Sequence, residues 1–109
     1  MKETILTGKA AIVTGAARGI GRATALLLAE RGCGLVLSGR EEKTLEKVAM
    51  EVSERGGRAV CVAADLRAAE TPGLLVQKAQ LAFHSLDVLV NAAGFARPGP
   101  LLHMDLDVW

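Results

Sequence analysis

From Thr14 to Gly21 the chain runs Thr-Gly-Ala-Ala-Arg-Gly-Ile-Gly, which puts glycines at 15, 19 and 21. Glycines this close let a backbone turn sharply and approach a phosphate oxygen. A helix that begins at such a turn adds free N–H donors and the positive end of its dipole. The spacing, four and then two, differs from the G-x-G-x-x-G fingerprint, and no Gly-Lys-Ser/Thr supports a P-loop. The same glycines also suit a tight strand-to-helix turn that packs closely and holds no ligand. Arg18 lies inside the turn and Arg40 further on. Two guanidinium groups converging on one phosphate make good anion chemistry. Asp65 is a carboxylate, which can accept hydrogen bonds or form a turn. Asn91 can bond a ligand or the backbone.

These residues need elements that place them together. Ala10–Thr14 is a short apolar run, as expected of a buried strand. From Gly19 to Arg31 the apolar positions Ile20, Ala23, Leu27 and Leu28 predict a helix with one buried stripe, closed by Gly32. Leu35–Ser38 predicts a second strand and Gly39-Arg40 a turn. Residues 41–55 predict a second helix with Leu45, Val48, Ala49 and Val52 inward. Its charged residues, Glu51 and Arg55 among them, form a solvated face. Ala59–Ala63 predicts a third strand. Thr71 as N-cap and Pro72 in the first turn open a third helix, with Leu75, Ala79, Ala82 and Phe83 inward. Val88–Asn91 predicts a fourth strand, and Asp105 a cap for one more helix. Strands separated by single helices are parallel, with right-handed crossovers and helices on both faces. That is the doubly wound α/β plan, in which ligands sit beyond the carboxyl ends of the strands.

The whole has 109 residues, half of them hydrophobic, with a formal net charge of +1. This is the size of one domain, residues 1–109. The charge gives no argument for nucleic acid or an anionic membrane. No apolar run is long enough for a bilayer span, and the N-terminus lacks the long apolar stretch of a secretory signal. The expected setting is the cytoplasm or an organelle interior. Cys33 and Cys61, in apolar surroundings and without metal spacing, are expected to be buried free thiols. His84 and His103 have no metal partner at ligand spacing, so both are expected at helix ends or on the surface.

The glycine turn strongly resembles the T-G-x-x-x-G-x-G motif of short-chain dehydrogenases/reductases. Two further segments match in order: Asp65-Leu66 after the third strand, and Asn91-Ala92-Ala93-Gly94 after the fourth. The latter resembles the family's N-N-A-G, with Ala92 in place of the second asparagine. The resemblance covers essentially the whole chain. It implies a Rossmann-type sheet in the order 3-2-1-4, with further strands to follow. It implies a pyrophosphate cradle from Gly15, Gly19, Ile20 and Gly21. Asp65, assisted by the Leu66 backbone, would hold the adenine amino group. Asn91, Ala92, Ala93 and Gly94 would line the ribose and nicotinamide side. In the family an acidic residue at the end of the second strand selects NAD. That position is Gly39 here, followed by Arg40, so the resemblance implies NADP(H) ahead of NAD, bound with the help of Arg18 and Arg40.

The resemblance also says what to look for and not find. The family's acid/base is a tyrosine, with a lysine four residues later and a serine upstream. This chain contains no tyrosine. Ser38, Ser53 and Ser85 lie in the wrong segments, so the chain by itself is expected to be inactive. The loop Phe95-Ala96-Arg97-Pro98-Gly99-Pro100 falls where the family borders its substrate. The expected function is an NADP(H)-dependent oxidoreductase, interconverting a ketone or aldehyde and an alcohol, of which this chain carries the cofactor-binding half. Its partner would be a small-molecule substrate, and the full-length protein a homo-oligomer, with no nucleic acid or membrane partner. The competing expectation is a truncated, non-catalytic nucleotide-binding or interaction protein. Tyr-x-x-x-Lys encoded beyond Trp109 favours the first, a genuine stop codon the second. With strand four left as an apolar edge, the isolated 109-residue piece is predicted to be poorly soluble or partly unfolded. A sharp two-state melt of a purified monomeric piece contradicts this.

Overall fold

The computed structural model describes residues 5–92. The elements run β1 (Ala10–Thr14), α1 (Gly19–Glu30), β2 (Gly34–Gly39), α2 (Glu42–Glu54), β3 (Arg58–Ala63), α3 (Thr71–Phe83) and β4 (Val88–Asn91). All strand pairs are parallel, in the order β3-β2-β1-β4. This is the doubly wound α/β plan, and its element order and strand order match the expectation from sequence. The proposed cap at Asp105 and the loop from Phe95 to Pro100 lie outside the described residues, as does His103.

β1 is central and buried along its whole length, which explains its unbroken apolar run. Its side chains alternate between two cores. Ala11 and Val13 join Leu35 and Leu37 beneath α1 and α2, against Ala25, Leu26, Ala29, Leu45, Val48 and Val52. Ile12 joins Val36 and Val62 on the opposite face, beneath Leu75 and Ala79 of α3. β4 pairs with β1, and Leu89 on it is 67% exposed.

The buried face of α1 differs from the one expected. Ile20 is 80% exposed and Leu27 51%, while Gly21, Ala25, Leu26 and Ala29 are buried; Ala23 is exposed too. Both sets have helical spacing, and the sequence expectation favoured the one with more bulk. The smaller set wins because α1 lies too close to the turn before it. A Cβ on Gly21 would stand 2.0 Å from the Gly15 carbonyl oxygen. That contact fixes the rotation of the helix and brings small residues to the sheet.

Three smaller corrections follow. Thr71 is the first residue of α3 rather than its cap. Its hydroxyl donates to the Asp65 carbonyl at 2.6 Å, and Glu70 occupies the cap position without a side-chain bond. The charged face of α2 is not wholly solvated: Glu51 pairs with Arg22 of α1, and Arg55 with Glu30 at 2.6 Å. These two ion pairs tie α2 to α1. Cys33 is buried as expected, but Cys61 is only half-buried. Burial pushes both thiols up from their ordinary value. His84 takes a left-handed conformation at the C-terminal end of α3, as a helix-end residue.

The amino ends of β1 and β4 are joined by Asp87, a residue that belongs to no sequence motif. Its N–H donates to the Ala10 carbonyl, and its Oδ2 accepts from the Ala10 N–H, both at 2.9 Å. Ser85 Oγ donates to the same oxygen at 2.9 Å, and Lys9 lies 3.9 Å from the other. The Ala10 N–H, the Ser85 hydroxyl and the charge of Lys9 hold the carboxyl below its ordinary value near 3.8. A depressed folded pKa adds stability that is fully present above the unfolded value. It is lost as pH falls through the folded value. In the complete gene product, Asp87→Asn is therefore expected to lower Tm at neutral pH and to flatten its decline between about pH 5 and 2. A variant whose melting curve tracks the parent at every pH contradicts the role of this carboxylate.

Candidate functional site

The strand register brings the candidate residues to one edge. Thr14 stands opposite both Ser38 and Asn91, and Gly39 opposite Ala63. The carboxyl ends of all four strands therefore align. The segments that leave them carry Gly15 to Gly21, Arg40, Asp65-Leu66, and Asn91-Ala92. Ala93 and Gly94 lie outside the described residues.

The turn between β1 and α1 uses its glycines in three ways. Gly15 and Gly19 have φ of +62° and +60°, in the left-handed region that favours glycine. Gly21 needs its missing Cβ for contact with Gly15. A Cβ on Gly19 would meet nothing within 4 Å, so that side of the turn faces open space. The Ala16 N–H donates to the Ser38 carbonyl at 3.1 Å, which ties the turn to the end of β2. Arg18 precedes α1 in extended conformation. It makes no side-chain cap bond, and the first turn of α1 has no acidic residue. The positive end of the helix is thus not capped by the side chain of its own cap residue. Ile20, beside them, exposes an apolar side chain.

Asn91 is held from β1. The Thr14 hydroxyl donates to Asn91 Oδ1 at 3.0 Å and lies 3.4 Å from the Val90 carbonyl. Thr14 opens the glycine motif, but the sequence assigns its side chain no role. Its position as the last residue of β1, directly before the glycine turn, was the available hint. Ser38 Oγ, fully buried on the same face, has no hydrogen-bond partner among the described residues.

Asp65 follows β3 by two residues. Its carboxyl lies below the ordinary carboxylate range, chiefly because the Arg67 side chain and then the Arg67 N–H bond to it, with the charge of Arg40 adding to the effect. Arg40 and Asp65, from different connections, therefore feel one another across the end of β2 and β3. The Ala64 N–H donates to the Gly39 carbonyl at 2.9 Å and closes that gap. Arg67 was not foreseen, since its contact with Asp65 depends on the local turn. Among the described residues no group of three His, Cys, Asp or Glu side chains could hold a metal ion, and no helix is long and apolar enough to cross a membrane.

The site can thus offer free helix N–H groups, two guanidinium groups and one carboxylate at the mouth of a parallel sheet. Many known proteins are similar to this chain in sequence or in structure. The chain is 41% identical over 107 residues to a 3-oxoacyl-[acyl-carrier-protein] reductase from a Synechocystis species, covering 97% of this chain and 43% of that protein. It is 43% identical over 102 residues to cis-4-hydroxycyclohexanecarboxylate dehydrogenase from Sinomonas cyclohexanicum, covering 93% and 41%. Among solved structures it superposes on a metagenomic short-chain oxidoreductase in complex with NADP. The TM-score is 0.79 and the identity 38%, over 93% of this chain and 46% of that one. The chain spans somewhat less than half the length of these relatives. The family model described as short chain dehydrogenase matches residues 9–109, and the chain accordingly belongs to the short-chain dehydrogenase/reductase family.

Proposed function

We propose that the complete protein is an NADP(H)-dependent oxidoreductase acting on a small-molecule ketone, aldehyde or alcohol. In this reading the present chain supplies its cofactor-binding half. The observation that carries the proposal is the uncapped N-terminus of α1, opening beside Arg18 at the same sheet edge as Arg40 and Asp65. The open space at Gly19 fits a pyrophosphate, because a side chain there would fill the cradle. When bound, the nicotinamide supplies or accepts the hydride.

The chain's own residues bind and orient. Gly15, Gly19, Ile20 and Gly21 present backbone N–H groups to the pyrophosphate. Arg18 and Arg40 meet the 2′-phosphate as planar, permanently charged donors. The absence of a carboxylate at Gly39 removes the group that would repel that phosphate. Asp65 accepts from the adenine amino group, with the Leu66 backbone beside it. Asn91, steadied by Thr14, and the segment Ala92, Ala93, Gly94 line the ribose and nicotinamide side. By the family resemblance the acid that protonates the substrate oxygen is a tyrosine, and this chain contains none. The NADP complex of the metagenomic oxidoreductase supports the cofactor class.

Two measurements on the complete gene product test the reading. Arg40→Ala is expected to weaken NADPH binding about tenfold or more while changing NADH by less than about twofold. Equal affinity of the parent for both cofactors, untouched by the substitution, sinks the NADP assignment. The cradle is tested with two alanines. Gly19→Ala places a methyl group in open space at positive φ, a strain of about 1–2 kcal/mol. The variant is expected to stay folded and bind NADPH more weakly. Gly21→Ala drives a Cβ into a backbone carbonyl, a packing cost of about 1–3 kcal/mol or more, and is expected to lower Tm further than Gly19→Ala. The reverse order of the two Tm values contradicts the turn geometry.

A further inference from the structure

Three contacts from one residue hold the Asp65 carboxylate. The Arg67 N–H donates to Oδ1 at 2.9 Å, Arg67 Nε to Oδ1 at 3.2 Å, and Arg67 Nη2 to Oδ2 at 3.1 Å. The Asp65 carbonyl is held as well, by the Ala68 N–H at 3.0 Å and by the hydroxyl of buried Thr71 at 2.6 Å. The chain between β3 and α3 is thus tied at residue 65 through both its backbone and its side chain. Yet the Asp65 and Arg67 side chains are 45% and 53% exposed, so the pair is built at the surface, within reach of a ligand.

A carboxylate offers about four acceptor positions. Arg67 takes two on Oδ1 and one on Oδ2, which leaves one, on Oδ2. We propose that Arg67 is a positioning residue for recognition of the nucleotide base: it fixes the Asp65 carboxylate so that Oδ2 keeps a single acceptor direction, which selects a base bearing an exocyclic amine over one bearing a carbonyl at that place. This rests on the reading of Asp65 as the adenine acceptor. The selection follows from the donor inventory. An amine donates to the free direction. A carbonyl oxygen brings a second acceptor against a carboxylate and is disfavoured. The pairing with Arg67 also keeps Asp65 ionised, and an ionised carboxylate has no proton to offer a carbonyl. Arginine suits this task because its fork is planar and bonds both oxygens. A lysine at 67 would keep the charge but not the two-point hold.

The test uses the complete gene product and two cofactors, NADPH and its analogue with hypoxanthine in place of adenine. Dissociation constants are measured by nicotinamide fluorescence for the parent, Arg67→Met and Arg67→Lys, and Tm is recorded for each. The parent is expected to prefer NADPH by about tenfold, the scale of one hydrogen bond to a charged group. Arg67→Met is expected to bring the two cofactors within about twofold, with Arg67→Lys between. The preference for NADPH over NADH should be unchanged in both. If Arg67→Met does not fold, Arg67→Lys reads the same ratio. A parent that discriminates and variants that keep or increase its ratio overturn the positioning role while leaving Asp65 as the acceptor. A parent that binds both cofactors equally overturns the reading of Asp65 itself, and this inference with it.

Discussion

The approach of Gly21 to the Gly15 carbonyl governs much of what surrounds it. With no Cβ at residue 21, α1 starts directly against the turn that leaves β1. Any side chain there would push the helix away from the sheet. The close contact sets the rotation of α1, so that Ala25 and Ala29 meet the sheet and Ile20 and Leu27 do not. It also places the start of the helix directly beyond the end of β1. One steric constraint thus shapes both the core on that face and the opening of the site.

The rest of the sheet edge is organised by short hydrogen-bonded ties between neighbouring connections. Ala16 bonds the end of β2, and Ala64 bonds Gly39. Thr14 holds Asn91. Each tie joins a residue near one strand end to the next strand, so the segments that carry Arg18, Arg40, Asp65 and Asn91 keep a fixed spacing. Placing charged groups is more demanding than attracting them. A binding site gains from donors and acceptors that need no rearrangement when the ligand arrives. Asp65 is the most constrained of the four, since Arg67, Ala68 and Thr71 all act on it. At the opposite end Asp87 clamps the starts of β1 and β4, so the central strand is fixed at both ends.

The sequence by itself determined the element order, the parallel sheet and the placing of the candidate residues after strands. These follow from apolar runs and helical spacing, which are local properties. It also determined the glycine turn, because no other residue takes those backbone angles so readily. It did not determine which face of α1 is buried. Two apolar stripes compete there, and only contact with the preceding turn decides between them. The role of Asp87 was likewise set by tertiary structure, and those of Thr71 and Arg67 by the conformation of the connection between β3 and α3. Thr71 has the residue type of a cap, yet its hydroxyl faces the Asp65 carbonyl. Arg67 meets Asp65, two residues away, through the local turn, whereas Asp87 looks like an ordinary surface charge until the fold brings Ala10 beside it. Residue types and spacing record what a segment can form alone. Partners brought together by folding, 77 residues apart for Ala10 and Asp87, leave no such local pattern.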